Sequence, residues 1–197
     1  MIMLKRFVSK LLFFGVSLIV IVACKPGAKL NTRESLTQYV DPYIGTGGHG
    51  HVFVGANVPY GAVQLGPSNI STGWDWVSGY HISDTTIIGF AHQHLSGTGI
   101  GDLGDVVFLP FTGDVRFDRG EPSDPTSGAY SFFRRETEKV QPGYYAVHLD
   151  RFGVDAELTS TARVGFHQYR YRAEEEPKVL INLDAGSITT GTFSADR

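Results

Sequence analysis

Three glycine-rich segments in the first half of the chain carry the residues that could do chemistry, namely histidine, tryptophan and aspartate. They read GTGGHGH (residues 45–51), GWDWVSGYH (73–81) and FAHQHLSGTGIGDLGD (90–105). Glycine allows positive φ angles and close approach of the backbone to another group, at an entropic cost that a simple connector need not bear. Binding and catalytic residues concentrate in such loops. We therefore expect the functional site to be built from these three segments.

Two His-x-His pairs stand in the first and third segments, His49 with His51 and His92 with His94. In an extended chain the two side chains of each pair point the same way, and zinc sites use this spacing. The alternative is that the imidazoles make hydrogen bonds within their own loops. The chain has a single cysteine and no pair of histidines at helical spacing with a glutamate, so the zinc-hydrolase signature is absent. We assign no metal ligand from the sequence.

The second segment places Trp74 and Trp76 on either side of Asp75. An aromatic ring beside a carboxylate is suited to a sugar, because the ring covers apolar C–H faces while the acid binds hydroxyl groups. The alternative is that the tryptophans are core residues, since tryptophan is buried on average. The preceding residues, STG, favour a loop. A nucleotide-binding loop is not indicated, because GTGGHG lacks the Gly-Lys-Ser/Thr ending of a P-loop.

The elements that must position these loops are predicted to be β-strands. Short alternating or apolar runs recur between turn residues, and no helical periodicity extends beyond about three turns. The predicted strands are residues 62–65, 86–92, 106–109, 129–134, 144–152, 154–163, 165–172 and 179–183. Many short strands joined by Gly, Pro and Asp turns favour an all-β fold, a two-sheet antiparallel β-sandwich rather than a barrel. We expect this sandwich to be incomplete, the front part of a longer protein.

The N-terminus has the pattern of an export signal. Lys5, Arg6 and Lys10 precede an apolar run over residues 11–23 that is short for a membrane span. The only cysteine, Cys24, follows Val-Ala and resembles the lipobox of bacterial lipoproteins; the alternative is an ordinary secretory peptide with a stray cysteine. We predict a lipoprotein signal peptide (1–23), a lipid-anchored tether (24–38) and a sandwich domain (39–197), held at the cell envelope through lipid on Cys24.

The charge balance excludes one class of partner. The chain has 17 Lys and Arg against 20 Asp and Glu, for a formal net charge of −3. The basic residues are spread along the chain and form no patch of the kind that phosphate backbones require. We therefore expect no nucleic-acid partner.

Three long segments, in order, resemble the N-terminal β-sandwich domain of glycoside hydrolase family 92, the calcium-dependent exo-α-mannosidases of Bacteroidetes. They are YVDPYIGTGGHGHVFVGANVPYGAVQLGP, SGYHISDTTIIGFAHQHLSGTGIGDLGDVVFLP and PGYYAVHLDRFGVDAELTSTARVGFHQYRY. The resemblance extends over residues 39–183. One departure is Val54, where the family's loop usually has proline; this changes the rigidity of the loop and removes no reactive group.

The resemblance implies a function that spacing alone could not. In this family the sandwich packs against a helical (α/α)6 domain, and the enzymes invert the anomeric configuration of α-mannosides, with catalytic carboxylates and calcium ligands supplied by the helical domain. The catalytic carboxyl groups of an inverting enzyme must lie about 6.5–9.5 Å apart. Asp102 and Asp105 are three residues apart, and this spacing does not give the separation of their carboxyl groups. We expect both to serve in loop hydrogen bonding or pocket support. No residue of this chain is predicted to be catalytic, and the chain alone is expected to be inactive.

The sandwich loops would instead form one wall of a pocket for mannose-containing glycans. The predicted substrate-binding residues are Gly48, His49, Trp74, Trp76, His92, His94 and Asp102. The expected partners are these glycans, the membrane, and a C-terminal helical domain if it is encoded separately, with calcium as the cofactor. The alternative is a lipid-anchored β-sandwich that binds glycans without cleaving them.

Overall fold

The computed structural model describes residues 35–102, 104–118 and 120–183. The fold described below is that of the compact unit of the chain that begins at Thr37. The predicted signal peptide, Cys24 and most of the predicted tether lie outside the described residues. Among the described residues, no helix has the length and apolar character needed to cross a membrane.

The described residues form an all-β fold, as predicted, with three short 3-10 turns and no α-helix. The turns are Leu36–Tyr39, Trp74–Trp76 and Arg135–Thr137. In chain order the strands are β1 (Ala56–Asn57), β2 (Gln64–Ser68), β3 (Thr86–Ile87), β4 (Gly89–Ala91), β5 (Val107–Phe111), β6 (Ser131–Phe132), β7 (Lys139–Gln141), β8 (Tyr144–Leu149), β9 (Val154–Ser160), β10 (Gly165–Arg170) and β11 (Lys178–Asn182).

Two main antiparallel sheets make up the sandwich. One has the strand order β1-β2-β4-β5-β11 and the other the order β10-β9-β8-β7, while β3 and β6 form a separate ribbon. The core lies between the two main sheets, where Leu65, Phe90 and Leu109 of the first are completely buried together with Tyr145 of the second and its neighbour Leu158.

The second sheet follows the alternation in its sequence. In β9, Val154, Ala156 and Leu158 are buried, while the intervening Asp155 and Glu157 face water or lie half-buried. All six residues of β8 pair with β9, from Tyr144 opposite Thr159 to Leu149 opposite Val154. Because a shift of one residue would turn every buried side chain outward, this pattern fixes the register.

The first sheet departs from the sequence prediction. The continuous strand expected over residues 86–92 is wrong: the run divides at Ile88 into β3, which pairs with β6, and β4, which lies between β2 and β5. The residue after this division is Gly89, the first residue of β4, whose φ of +142° lies outside the range of an ordinary strand residue. The strand predicted over residues 129–134 is shortened to β6, and the strand predicted over residues 62–65 is shifted toward the C-terminus as β2. Strands β1 and β7 were not predicted.

A charged side chain lies inside the core. The carboxylate of Glu138, whose side chain is fully buried, accepts hydrogen bonds from the hydroxyls of Tyr43, Tyr80 and Tyr145, at 2.8–3.3 Å, and pairs with the guanidinium of Arg135. Burial, together with the nearby carboxylate, raises the pKa of Tyr80 and Tyr145, which keeps both hydroxyls protonated as donors.

The same arginine connects this network to the second glycine-rich segment. Its Nη2 donates a hydrogen bond to the backbone oxygen of Asp84 at 2.7 Å and another to that of Ile82. The side chain of Asp84 in turn accepts hydrogen bonds from Trp76 and Thr86. The core network therefore supports the segment that carries the tryptophans.

Candidate functional site

The three glycine-rich segments come together at one surface. The backbone NH of Gly97 donates to the oxygen of His51 at 2.8 Å, which joins the third segment to the first. The NH of Asp102 donates to the oxygen of Val77 at 2.7 Å, which joins the third to the second. Because these are backbone bonds, the three loops form one connected surface independently of their side chains.

A cavity of about 350 Å³ opens between the second and third segments. Its volume lies in the range of small-molecule sites. It is lined by Ser68, Asn69, Ser71, Gly73, Trp74, Trp76, Val77, Gly79, Ile88, Gly101, Asp102 and Gly104. The lining thus combines aromatic and apolar side chains with a carboxylate, an amide and hydroxyl groups, the composition expected of a site that orients a polar ligand against an apolar surface.

The two tryptophans contribute differently to this cavity. Trp76 is half-buried and held in place, because its indole Nε1 donates to Asp84 Oδ2 at 2.7 Å and its ring stacks on His81 with centroids 4.4 Å apart. Trp74 is 55% exposed and touches the edge of the His51 ring, with centroids 5.8 Å apart. Trp76 therefore forms a fixed wall, and Trp74 offers an open ring face at the rim.

Asp102 lies in the wall of the cavity and is held there by a buried histidine. Its Oδ2 lies 2.8 Å from Nδ1 of His94, and its Oδ1 accepts the backbone NH of Leu95 at 2.9 Å. The other ring nitrogen of His94, Nε2, lies 3.2 Å from the oxygen of Gly66, and the ring stacks on Phe53. His94 is almost completely buried and does not line the cavity, so it orients Asp102 and is not placed to touch a ligand in the cavity.

Gly79 provides the space that Asp102 occupies. Its φ is +82°, and a Cβ built on it would lie 2.3 Å from Asp102 Oδ2 and 3.0 Å from His94 Nδ1. Any other residue here would be strained and would displace the carboxylate. The sequence alone does not single out Gly79, because its role depends on a partner 23 positions away.

His92 belongs to a different group. Although it is two residues from His94, its Nε2 lies 3.3 Å from Nε2 of His167 on β10, and its ring contacts Phe108. Burial, with the neighbouring His92, lowers the pKa of His167 to about 4, and burial also lowers the pKa of His92. This pair is therefore neutral at pH 7, and His92 does not line the cavity.

His49 lies beside the cavity and is paired with an acid. Its Nδ1 is 2.6 Å from Oδ1 of Asp75, and Nε2 of His51 is 3.5 Å from the same oxygen. The hydrogen bond from His49 is the main reason that the pKa of Asp75 is lowered. His51 reaches this position with a positive φ of 54°, so the first segment is not extended at this residue. Gly48 is exposed on the same loop and lies outside the cavity lining.

Among the described residues, the only group of three or more side chains able to hold a metal ion is His49, His51 and Asp75. Two imidazoles and one carboxylate do not suit calcium, which takes six to eight oxygen ligands. The described part of this chain therefore offers no side-chain cluster that fits the calcium implied by the family resemblance.

The family of the protein follows from its sequence as a whole. Residues 39–196 match the family model described as the glycosyl hydrolase family 92 N-terminal domain. The chain belongs to glycosyl hydrolase family 92. The surface formed by the three glycine-rich segments is thus part of a family 92 N-terminal domain.

Several known proteins are similar to this chain in sequence or in structure. The structure of a family GH92 α-mannosidase of Bacteroides thetaiotaomicron, in complex with mannoimidazole, matches 77% of this chain and 20% of its own, with 40% identity and a TM-score of 0.73. The family GH92 glycosyl hydrolase CcMan5 matches 76% of this chain and 20% of its own, with 25% identity and a TM-score of 0.64. A secreted glycosidase of Arthroderma benhamiae is 28% identical over 154 residues, 74% of this chain and 19% of that protein. This chain therefore spans about one fifth of the length of these relatives.

Proposed function

We propose that this chain is the N-terminal, pocket-forming part of an inverting exo-α-mannosidase of the α-1,2 type, acting on mannose-containing glycans. The observation that carries the proposal is the cavity in this family 92 domain, with an exposed Trp74 at its rim and an oriented Asp102 in its wall. The relative from Bacteroides thetaiotaomicron, an α-mannosidase solved in complex with mannoimidazole, supports the substrate class.

Each lining group has a role in binding a sugar. The ring of Trp74 covers an apolar C–H face, and the fixed Trp76 closes the side of the cavity. Asp102 accepts hydrogen bonds from sugar hydroxyls, with its position held by His94.

The chemistry of hydrolysis is assigned to a C-terminal (α/α)6 domain. We propose that this domain supplies both catalytic carboxylates and most of the calcium ligands, so that this chain alone is inactive. Calcium, when bound there, would stabilise a distorted sugar ring. The part of this chain described by the structure would bind and orient the sugar and exclude water from one side of it.

The protein is proposed to act at the cell envelope, anchored through lipid on Cys24. The support is the export pattern before that cysteine in the sequence and the secreted relative from Arthroderma benhamiae. The glycan site would then be presented to the periplasm or to the cell exterior.

Binding is tested by titrating α-1,2-linked mannobiose into the 197-residue chain and following chemical shifts of the tryptophan indoles by NMR. We expect saturable, weak binding, because the cavity has only one of its walls. Trp74→Ala should lose at least about fivefold in affinity, since an aromatic ring stacked on a nucleic-acid base contributes about 1–3 kcal/mol and we take the lower end of that range. Phe166→Ala is the control, because Phe166 has nearly the same exposed fraction as Trp74 (58% against 55%) and lies on β10. Equal affinity in both variants would contradict the proposed site.

Catalysis is tested separately with an aryl α-mannoside in excess calcium. The chain alone should release no mannose, and activity should appear when the helical domain of a related enzyme is added. Mannose release by the chain alone would contradict the two-domain proposal. Saturable binding with no activity in the mixture would favour the alternative, a glycan-binding module without catalysis.

A further inference from the structure

Beside the sugar cavity, His49, His51 and Asp75 bring three potential ligand atoms within 4.8 Å of one another. We propose that these three side chains bind a divalent transition-metal ion of the zinc class, and that this ion joins the first glycine-rich segment to the second. The inference is independent of the sugar proposal, because none of the three residues lines the cavity.

The distances are close to those of a metal site. Zinc takes nitrogen and oxygen ligands at about 2.0–2.2 Å in a tetrahedron, which separates neighbouring ligand atoms by roughly 3.3 Å. The separation of 3.5 Å between Nε2 of His51 and Oδ1 of Asp75 already matches this value. The hydrogen-bonded separation of 2.6 Å between His49 and the same oxygen must open slightly. His49 can make this adjustment, because its side chain is 88% exposed.

The state of His51 is the independent observation that points to a ligand. This residue is 4% exposed, and both ring nitrogens are buried without a hydrogen-bond partner among the described residues. Native proteins rarely leave a buried polar group without a partner. The nitrogen Nε2 faces the carboxylate of Asp75 at a distance too long for a good hydrogen bond and suitable for an ion between them.

The donor types select the class of metal. Imidazole nitrogen suits zinc, copper, nickel and iron, whereas calcium and magnesium require oxygen ligands. Three protein ligands leave at least one coordination position for water.

The ion would fix the position of the rim tryptophan. Asp75 is adjacent to Trp74, and the edge of the His51 ring contacts the indole. Coordination of both His51 and Asp75 would therefore hold the loop of Trp74 against residues 45–51. In this arrangement His49 is a metal ligand and not a sugar contact.

The test uses the 197-residue chain purified without a histidine tag and stripped with a chelator. Isothermal titration with Zn²⁺ should give one equivalent of binding, and Co²⁺ in its place should develop the visible absorption of a low-symmetry complex with nitrogen ligands. His49→Ala and Asp75→Asn should each weaken Zn²⁺ binding by at least about 100-fold, since losing even an outer-shell partner of a metal costs 10–100-fold. Ca²⁺ should neither bind at this group nor displace Zn²⁺.

His148→Ala is the matched control. His148 makes the same 2.6 Å contact with a carboxylate, that of Asp155, and this pair belongs to no group of three ligands in the described residues. Its loss should leave Zn²⁺ affinity unchanged. Zn²⁺ should raise the melting temperature of the wild type and of His148→Ala but not that of His49→Ala, a substitution at an exposed side chain that does not endanger folding. No saturable Zn²⁺ binding by the wild type, or binding that survives both ligand substitutions, overturns the proposal.

Discussion

Replacement of Glu138 by glutamine should destabilise the fold by about 3 kcal/mol. The side chains have nearly the same volume, so the change acts through charge and hydrogen bonding. The two oxygens of the carboxylate receive three tyrosine hydroxyls and the guanidinium of Arg135. Glutamine keeps one acceptor oxygen and turns an NH2 group toward these donors.

The magnitude follows from burial on the two sides of the ion pair. The side chain of Glu138 is fully buried and that of Arg135 is 35% exposed. Removing one partner of a fully buried pair costs about 3–5 kcal/mol, and access of water to the guanidinium places this case at the lower limit. For a domain of this size, about 3 kcal/mol corresponds to a decrease in Tm of about 6–12 °C.

The assay is urea unfolding followed by tryptophan fluorescence, which also reports on the site, because Arg135 supports the backbone of Asp84 and Asp84 holds Trp76. The control is Glu136→Gln. Glu136 is 71% exposed and lies 3.7 Å from Arg134, so its loss should change the free energy of unfolding by no more than about 0.5 kcal/mol. Equal stability of the two variants would refute the reasoning that a buried carboxylate organises this core.

Three further predictions concern other parts of the molecule. His167 has a folded pKa of about 4, below that of an unfolded histidine, so the unfolded state binds the proton more readily. Its contribution to stability should fall by about 1 kcal/mol from pH 7 to pH 5, after allowance for its partial exposure. Urea unfolding at both pH values should find a smaller loss in His167→Gln than in the wild type, the remainder coming in part from His92, whose pKa burial also lowers. Gly79→Ala should cost about 2 kcal/mol and weaken mannobiose binding because it displaces Asp102, whereas Gly143→Ala, at a similar φ of +76° with open space around it, should cost only the strain of about 1 kcal/mol. Cys24→Ala should release the protein from the membrane fraction, and mass spectrometry should find acyl chains on Cys24 of the wild type; a soluble, unmodified wild-type chain would contradict the lipid anchor.

The sequence alone was sufficient for those parts of the fold in which neighbouring residues decide the structure. The strands β8 and β9 were predicted because their apolar residues alternate, and their register follows from the same alternation. The three glycine-rich segments were recognisable because they place histidine, tryptophan and aspartate among glycines. Membership of the family could also be recognised, since three long segments keep their order.

Tertiary structure decided which of the chemically useful residues meet. His92 and His94 are two positions apart, yet one pairs with His167 on another strand and the other orients Asp102. Local spacing could not separate them, because their partners lie 75 and 8 positions away and are brought close only by strand pairing and loop closure. Glu138 lies in a charged stretch typical of a surface. Its burial becomes favourable when Tyr43 and Tyr80 from distant segments join the nearby Tyr145 and Arg135 around its carboxylate. Asp75 likewise becomes a partner of two histidines through backbone bonds between loops, an arrangement that no local pattern encodes.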